Sequence, residues 1–215
     1  MKSRGRLLIV LYIGLFLSSL GSTPAPAVNA QEVDPYHFTR FDRLTPADGL
    51  PFPAVNEAIQ DSQGNMWFAT AGGGLNRYNG YDFTVYRKDE GDPDSLPFDD
   101  VRTLYEDSDG VLWISGSGGL ARYDSQRDTF AHIDSRGQVF AIIEDDEGQL
   151  WAGFWHGLYA YERATGTLIQ SYQHNRELND DAGQISEGYV RALYQDRAGD
   201  YWIGTSGGLD HLDRE

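Results

Sequence analysis

The chain of 215 residues has no cysteine, so no disulfide holds it together in any compartment. Positive charge is scarce: 17 Lys and Arg stand against 33 Asp and Glu, a net charge of −16. That balance repels phosphate backbones and sets nucleic acid aside as a partner. Long apolar runs are also missing. Beyond Leu20 no stretch approaches the roughly 20 apolar residues needed to cross a bilayer as a helix, and none carries the i, i+3, i+4, i+7 spacing of an amphipathic helix. An all-β chain is expected.

The single long apolar run, Leu7 to Leu20, follows Lys2, Arg4 and Arg6 and precedes the small-residue site Val28-Asn29-Ala30. This is the pattern of an export signal over residues 1–30. As a helix the run would rise about 21 Å, at ~1.5 Å per residue, against a hydrocarbon core of about 30 Å. Cleavage is therefore expected in preference to retention as an anchor. Removal of three basic and no acidic residues takes the charge from −16 to −19, and the roughly 185 residues left can bury a core unaided.

What the chain does have is a repeat. Trp67, Trp113, Trp151 and Trp202 are each preceded three residues back by glycine (Gly64, Gly110, Gly148, Gly199) and six back by aspartate (Asp61, Asp107, Asp145, Asp196). A valine stands twelve residues before each (Val55, Val101, Val139, Val190), and a Gly-Leu pair follows (Gly74-Leu75, Gly119-Leu120, Gly157-Leu158, Gly208-Leu209). The tryptophans are 46, 38 and 51 residues apart, near the 40 to 50 typical of propeller blades.

Within a unit the pattern reads as four strands. Val101 to Tyr105 alternates apolar and polar, Asp107 to Gly110 is turn chemistry, Val111 to Ile114 is continuously apolar as a strand covered on both faces would be, and Leu120 to Tyr123 and Thr129 to Ile133 follow. The prediction is a β-propeller of four-stranded antiparallel blades, each repeat tryptophan buried on a second strand, with units at 55–100, 101–138, 139–189 and 190–215. The last unit stops after its third strand. In the lead-in, residues 31–54, the segment His37 to Phe41 resembles the outer strand Phe83 to Tyr86 and is expected to close a blade, because propellers must cover their edges.

The strings DSQGNMWFATAGGGLNRY, DSDGVLWISGSGGLARY and DRAGDYWIGTSGGLDHL resemble the two component regulator propeller family, and the resemblance covers Tyr36 to Arg214. The third unit departs from it at Phe154-Trp155-His156, and the fourth has Leu212 where tyrosine is usual. The resemblance implies the periplasmic sensor portion of a bacterial receptor, non-catalytic by itself. Its partners would be a downstream membrane-anchored histidine kinase or diguanylate cyclase domain, in a dimer, and a small-molecule or glycan ligand. It implies no cofactor. The family's rings have more blades, so the four repeats are expected to form a partial ring.

Strand alternation puts the second-to-third-strand turns and the blade connectors on one face, opposite the Asp-x-x-Gly turns. On the connector face Trp155 and His156 replace small turn residues, as a ligand platform or as packing against the neighbouring connector. Arg102 and Arg191, each just after a repeat valine, would meet an anionic group or pair with connector carboxylates such as Asp99 or Glu187. The connectors Arg87 to Asp100 and Gln173 to Tyr189 are long enough to suggest function. One carboxylate per Asp-x-x-Gly turn falls short of the six to eight oxygens calcium takes, so no metal is expected. Two other readings stay open: a propeller lyase resembling streptogramin lyase, for which His156 would be a base without a partner, and a protein-interaction scaffold.

Overall fold

The computed structural model describes residues 42–174 and 184–213. The expected export signal and the expected closing strand at 37–41 lie outside them. Among the described residues the only helical segment is a short 3₁₀ turn, Pro46–Asp48.

Each repeat opens with a first strand: β1 (Val55–Gln60), β5 (Val101–Glu106), β9 (Val139–Glu144) and β13 (Val190–Gln195). The aspartate after it explains the motif. One carboxylate oxygen accepts the backbone N–H groups two and four residues on, at 2.7–3.2 Å. The chain reverses through a glycine held at φ of 77° to 97°, a conformation costly for any residue with a Cβ. The other oxygen accepts the indole N–H of the tryptophan six residues on, at 2.7–2.9 Å. Aspartate, glycine and tryptophan therefore make one local device that fixes the first hairpin.

Second strands are β2 (Met66–Thr70), β6 (Leu112–Gly116), β10 (Gln149–Phe154) and β14 (Tyr201–Thr205); third strands are β3 (Leu75–Tyr78), β7 (Gly119–Asp124), β11 (Gly157–Glu162) and β15 (Leu209–Leu212). Fourth strands close the first three blades: β4 (Phe83–Tyr86), β8 (Thr129–Asp134) and β12 (Leu168–Tyr172). The sheets run β1-β2-β3-β4, β5-β6-β7-β8, β9-β10-β11-β12 and β13-β14-β15, with every pair antiparallel.

The core is three apolar clusters, one between each pair of neighbouring blades. Repeat residues have fixed jobs there. The tryptophan and the leucine of Gly-Leu point at the following blade, so Tyr123 of blade 2 meets the Trp67 ring at 5.1 Å and Tyr201 of blade 4 meets Trp151 at 4.6 Å. The valine seats on the preceding blade. A Cβ on Gly153 would come within 2.6 Å of Val190, so this contact requires glycine there. Polar rungs run alongside: the last side chain of a first strand, Glu106, Glu144 or Gln195, accepts the backbone N–H of Ser62, Ser108 or Asp146 in the blade before, at 2.6–2.9 Å.

One expectation is corrected. Trp67, Trp113 and Trp151 are buried, but Trp202 is 38% exposed, because no described blade follows the fourth and its ring meets His211 of its own blade, at 4.5 Å, in place of a neighbouring blade. The connector Arg87 to Asp100 is also less free than its length suggests, since Leu96 and Phe98 are buried in the first interface.

Candidate functional site

Trp155 and His156 form the tight turn between β10 and β11, and the Trp155 N–H donates to the Gln138 carbonyl of the preceding connector at 2.9 Å. That bond ties the turn to the short link between blades 2 and 3. The Trp155 side chain stands 63% exposed, edge-on to Tyr189 with centroids 5.2 Å apart. Tyr189 precedes the repeat valine of blade 4 and also meets Phe140 at 4.6 Å, perpendicular. The Arg191 guanidinium lies 4.4 Å from the Tyr189 ring centroid, a cation–π distance. Trp155 and Arg191 are thus brought together through Tyr189.

Arg102 is held elsewhere, on blade 2, in an ion pair with Asp100 at 3.1 Å. Asp99, the carboxylate expected for it, instead lies 3.7 Å from Arg87.

His156 turns inward from Trp155, its ring 5.5 Å from Tyr159 and 5.8 Å from Phe154. Its Nδ1 is buried without a hydrogen-bond partner among the described residues. Burial, and next the positive charge of Arg136, hold its pKa below the ordinary histidine value, with Asp134 opposing. Its surroundings therefore favour the neutral imidazole. Arg136 itself lies over Tyr159, 4.3 Å from the ring centroid, and its guanidinium clasps Asp134 with Nε at 2.8 Å. Asp134 also accepts the Tyr161 hydroxyl at 2.6 Å. Burial works to raise the Asp134 carboxyl, but the Arg136 and Tyr161 bonds outweigh it and leave the pKa lowered. Gln173 donates to the Tyr159 hydroxyl at 3.0 Å.

Sequence reasoning missed Tyr189, Phe140, Arg136 and Tyr159. Phe140 could have been found, because it occupies the position after a repeat valine that Arg102 and Arg191 occupy in their own blades. Tyr159 lies three residues from His156 in the same blade, whereas Tyr189 and Arg136 meet this turn from neighbouring blades and connectors.

The remaining histidines are locally engaged: His132 with the Ser95 carbonyl at 3.0 Å, His174 with that of Ile185 at 3.1 Å, and His211 with Asp200 at 3.2 Å. His37 lies outside the described residues. Asp196, Asp200 and His211 bring one ligand atom each within 4.8 Å of one another, yet Asp196 spends both oxygens on its own turn and Trp202. A concavity of about 590 Å³ opens on the outer part of blade 2, lined by residues including Arg122, Tyr123 and Arg127 and by none of the four sequence candidates.

Among solved structures, the chain is similar to the extracellular domain of a hybrid two component system, BT3049, from B. thetaiotaomicron, with a TM-score of 0.67 and 23% identity over 82% of this chain. A second extracellular domain from that organism, BT4673, gives 0.63 and 22% over 77%. The chain spans 22% of the length of each. A streptogramin B lyase structure gives 0.52 and 16% identity, over 73% of this chain and 49% of the lyase. At these identities the likeness establishes the propeller fold. No curated protein matches the sequence. The family model described as two component regulator propeller matches residues 49–72, 95–118 and 184–207, which hold the first hairpins of blades 1, 2 and 4. With that match and the blades in view, the chain carries the repeats of the two component regulator propeller family.

Proposed function

We propose that the chain is a periplasmic ligand-sensing propeller module of a bacterial two-component or cyclic-di-GMP signalling receptor, non-catalytic by itself. One observation carries the reading: at the single blade turn that departs from small residues, an indole is presented to solvent on an aromatic and cationic support, Trp155 on Tyr189 with Arg191 beside it. A flat exposed ring on a packed base suits stacking against the apolar face of a sugar or similar small molecule. The net charge of −16 disfavours a polyanion, so a neutral or weakly charged glycan fragment fits best. The export signal expected at residues 1–30 and the extracellular domains among the structural relatives support a periplasmic location. Output would pass to a membrane-anchored kinase or cyclase domain, in a dimer.

The lyase alternative draws on His156 alone, and the nearest carboxylate in its electrostatic surroundings, Asp134, is already committed to Arg136 and Tyr161. A scaffold would need only a face, and it gives no reason for an aromatic support at one turn. The test is titration of a neutral oligosaccharide panel by thermal shift and calorimetry, on wild type and Trp155→Ala. Binding by wild type that weakens about tenfold or more in the variant, the size of one lost aromatic contact, supports the reading. Equal binding by both removes Trp155 from the site. Magnesium-dependent opening of a cyclic ester, lost in His156→Ala, would transfer the case to a lyase.

A further inference from the structure

In every blade the pairing of the first strand with the second skips the residue after the repeat valine: Asn56 in β1, Arg102 in β5, Phe140 in β9 and Arg191 in β13. Such a bulge re-aims one side chain out of the alternation of the sheet. The first strands of successive blades lie against one another, so the four bulged residues form a row along these strands, beside the connectors. Three of the four are engaged. Asn56 donates to the Val101 carbonyl at 2.6 Å, Arg102 is neutralised by Asp100 at 3.1 Å, and Phe140 packs on Tyr189.

Arg191 differs. It stands two residues after Tyr189 as Arg102 stands two after Asp100, and the backbones there agree: the Ser117 N–H donates to the Asp100 carbonyl at 3.0 Å and the Ser206 N–H to the Tyr189 carbonyl at 3.1 Å. Only the side chain changes, since Tyr189 offers a ring face where Asp100 offers a carboxylate. Among the described residues Arg191 makes no ion pair, and the Glu187 carboxylate expected for it accepts the neighbouring Gly188 N–H at 3.1 Å. Arg102 takes its partner from its own connector although blade 3 follows it, so residue 189, and nothing beyond blade 4, sets the difference.

We propose that this uncompensated guanidinium receives a carboxylate, and that the ligand seated on Trp155 is a sugar acid, a pyranose whose apolar face lies on the indole and whose C6 carboxylate reaches Arg191. The inference rests on the sensing role proposed for Trp155 and narrows its ligand. Trp155 and Arg191 lie against the same tyrosine ring, 5.2 Å and 4.4 Å from its centroid, within the span of one disaccharide. Resting on Tyr189, the planar guanidinium is pre-oriented for the paired N–H···O bonds that a carboxylate accepts. The net charge of −16 opposes a single carboxylate only weakly, because charges more than about 8 Å away are largely screened at physiological salt. A polyanion would meet that charge along its whole length.

The test titrates matched disaccharides that differ only at C6, glucuronoside against glucoside, galacturonoside against galactoside and mannuronoside against mannoside, into the full chain by calorimetry. In at least one pair the acid should bind about tenfold or more tighter than its neutral partner, the size of one charge-assisted bond, with the gap narrowing as salt is raised. Arg191→Gln should level that pair by weakening the acid alone. Because the Arg191 side chain is exposed, circular dichroism and melting of the variant should match wild type. Equal affinity within every pair, still weakened by Trp155→Ala, overturns the carboxylate and leaves the stacking reading standing. A preference for the acid that survives Arg191→Gln overturns the assignment to this residue, and no binding by either member of any pair overturns both readings.

Discussion

Blades 2 and 3, flanked on both sides, and the two terminal faces of blades 1 and 4 carry the same repeat letters with opposite environments. Val139 is fully buried and Val55 is 41% exposed; Trp113 is fully buried and Trp202 is 38% exposed. Yet Trp202 keeps the same bond to its aspartate, at 2.9 Å against 2.8 Å for Trp113. The difference separates two functions that the repeat motif combines. The aspartate, glycine and indole N–H shape a hairpin within one blade, whereas the indole ring and the valine methyls act only when a neighbour arrives, and their stabilisation belongs to the interface.

The largest effect that would break this distinction is a paired tryptophan substitution. Trp113→Ala removes a ring packed on both sides and should cost roughly 3 to 5 kcal/mol, read from the midpoint of chemical denaturation. Trp202→Ala, at a face open to solvent, should cost markedly less. Equal losses would mean that the indole works through its own hairpin and that the interface adds little.

The same distinction explains what the sequence made legible. The first hairpins could be read because the side-chain bonds that fix their turns span six residues or fewer, from Asp107 to Trp113 for example. The burial of Trp202 could not, since its local string matches the others and only a following blade decides its exposure. On the connector face, Trp155 and His156 stood out as departures from small turn residues. Their supports did not, because Arg136 reaches Tyr159 and His156 across a blade boundary, and Tyr189 reaches Trp155 from 34 residues away in sequence.

A smaller effect tests the carboxylate between blades 3 and 4. Asp145 accepts the Gln149 and Glu147 backbone N–H groups, the Trp151 indole, and the Tyr201 hydroxyl of the next blade. Asp145→Ala would take from the last two, both buried, their bond to the carboxylate, at a cost of roughly 2 to 3 kcal/mol. Burial pushes this carboxyl upward, but the bonds from Tyr201, Trp151 and the backbone prevail and its pKa is lowered from the ordinary 3.8. A lowered folded pKa means the contribution is complete above the ordinary carboxylate range and fades as pH falls below about 4 through the folded value. Wild type should therefore lose melting temperature below about pH 4 more steeply than Asp145→Asn. Parallel acid curves for the two proteins would place the acid sensitivity elsewhere.

The smallest effect isolates a single bond between blades. Tyr201 occupies the position just before the repeat tryptophan, where blades 2 and 3 have Leu112 and Leu150. Those leucines fill the interface without a polar group, whereas Tyr201 adds a hydroxyl bonded to Asp145 at 2.6 Å. In Tyr201→Phe the ring stays against Trp151 and the carboxylate keeps its three other donors, so nothing buried is orphaned. Only the net value of one charge-assisted bond is lost, about 1 to 2 kcal/mol. The cycle that pairs Tyr201→Phe with Asp145→Asn should recover most of that value as coupling. Additive losses in the cycle would show that the hydroxyl adds no specific bond to the third interface and only fills space.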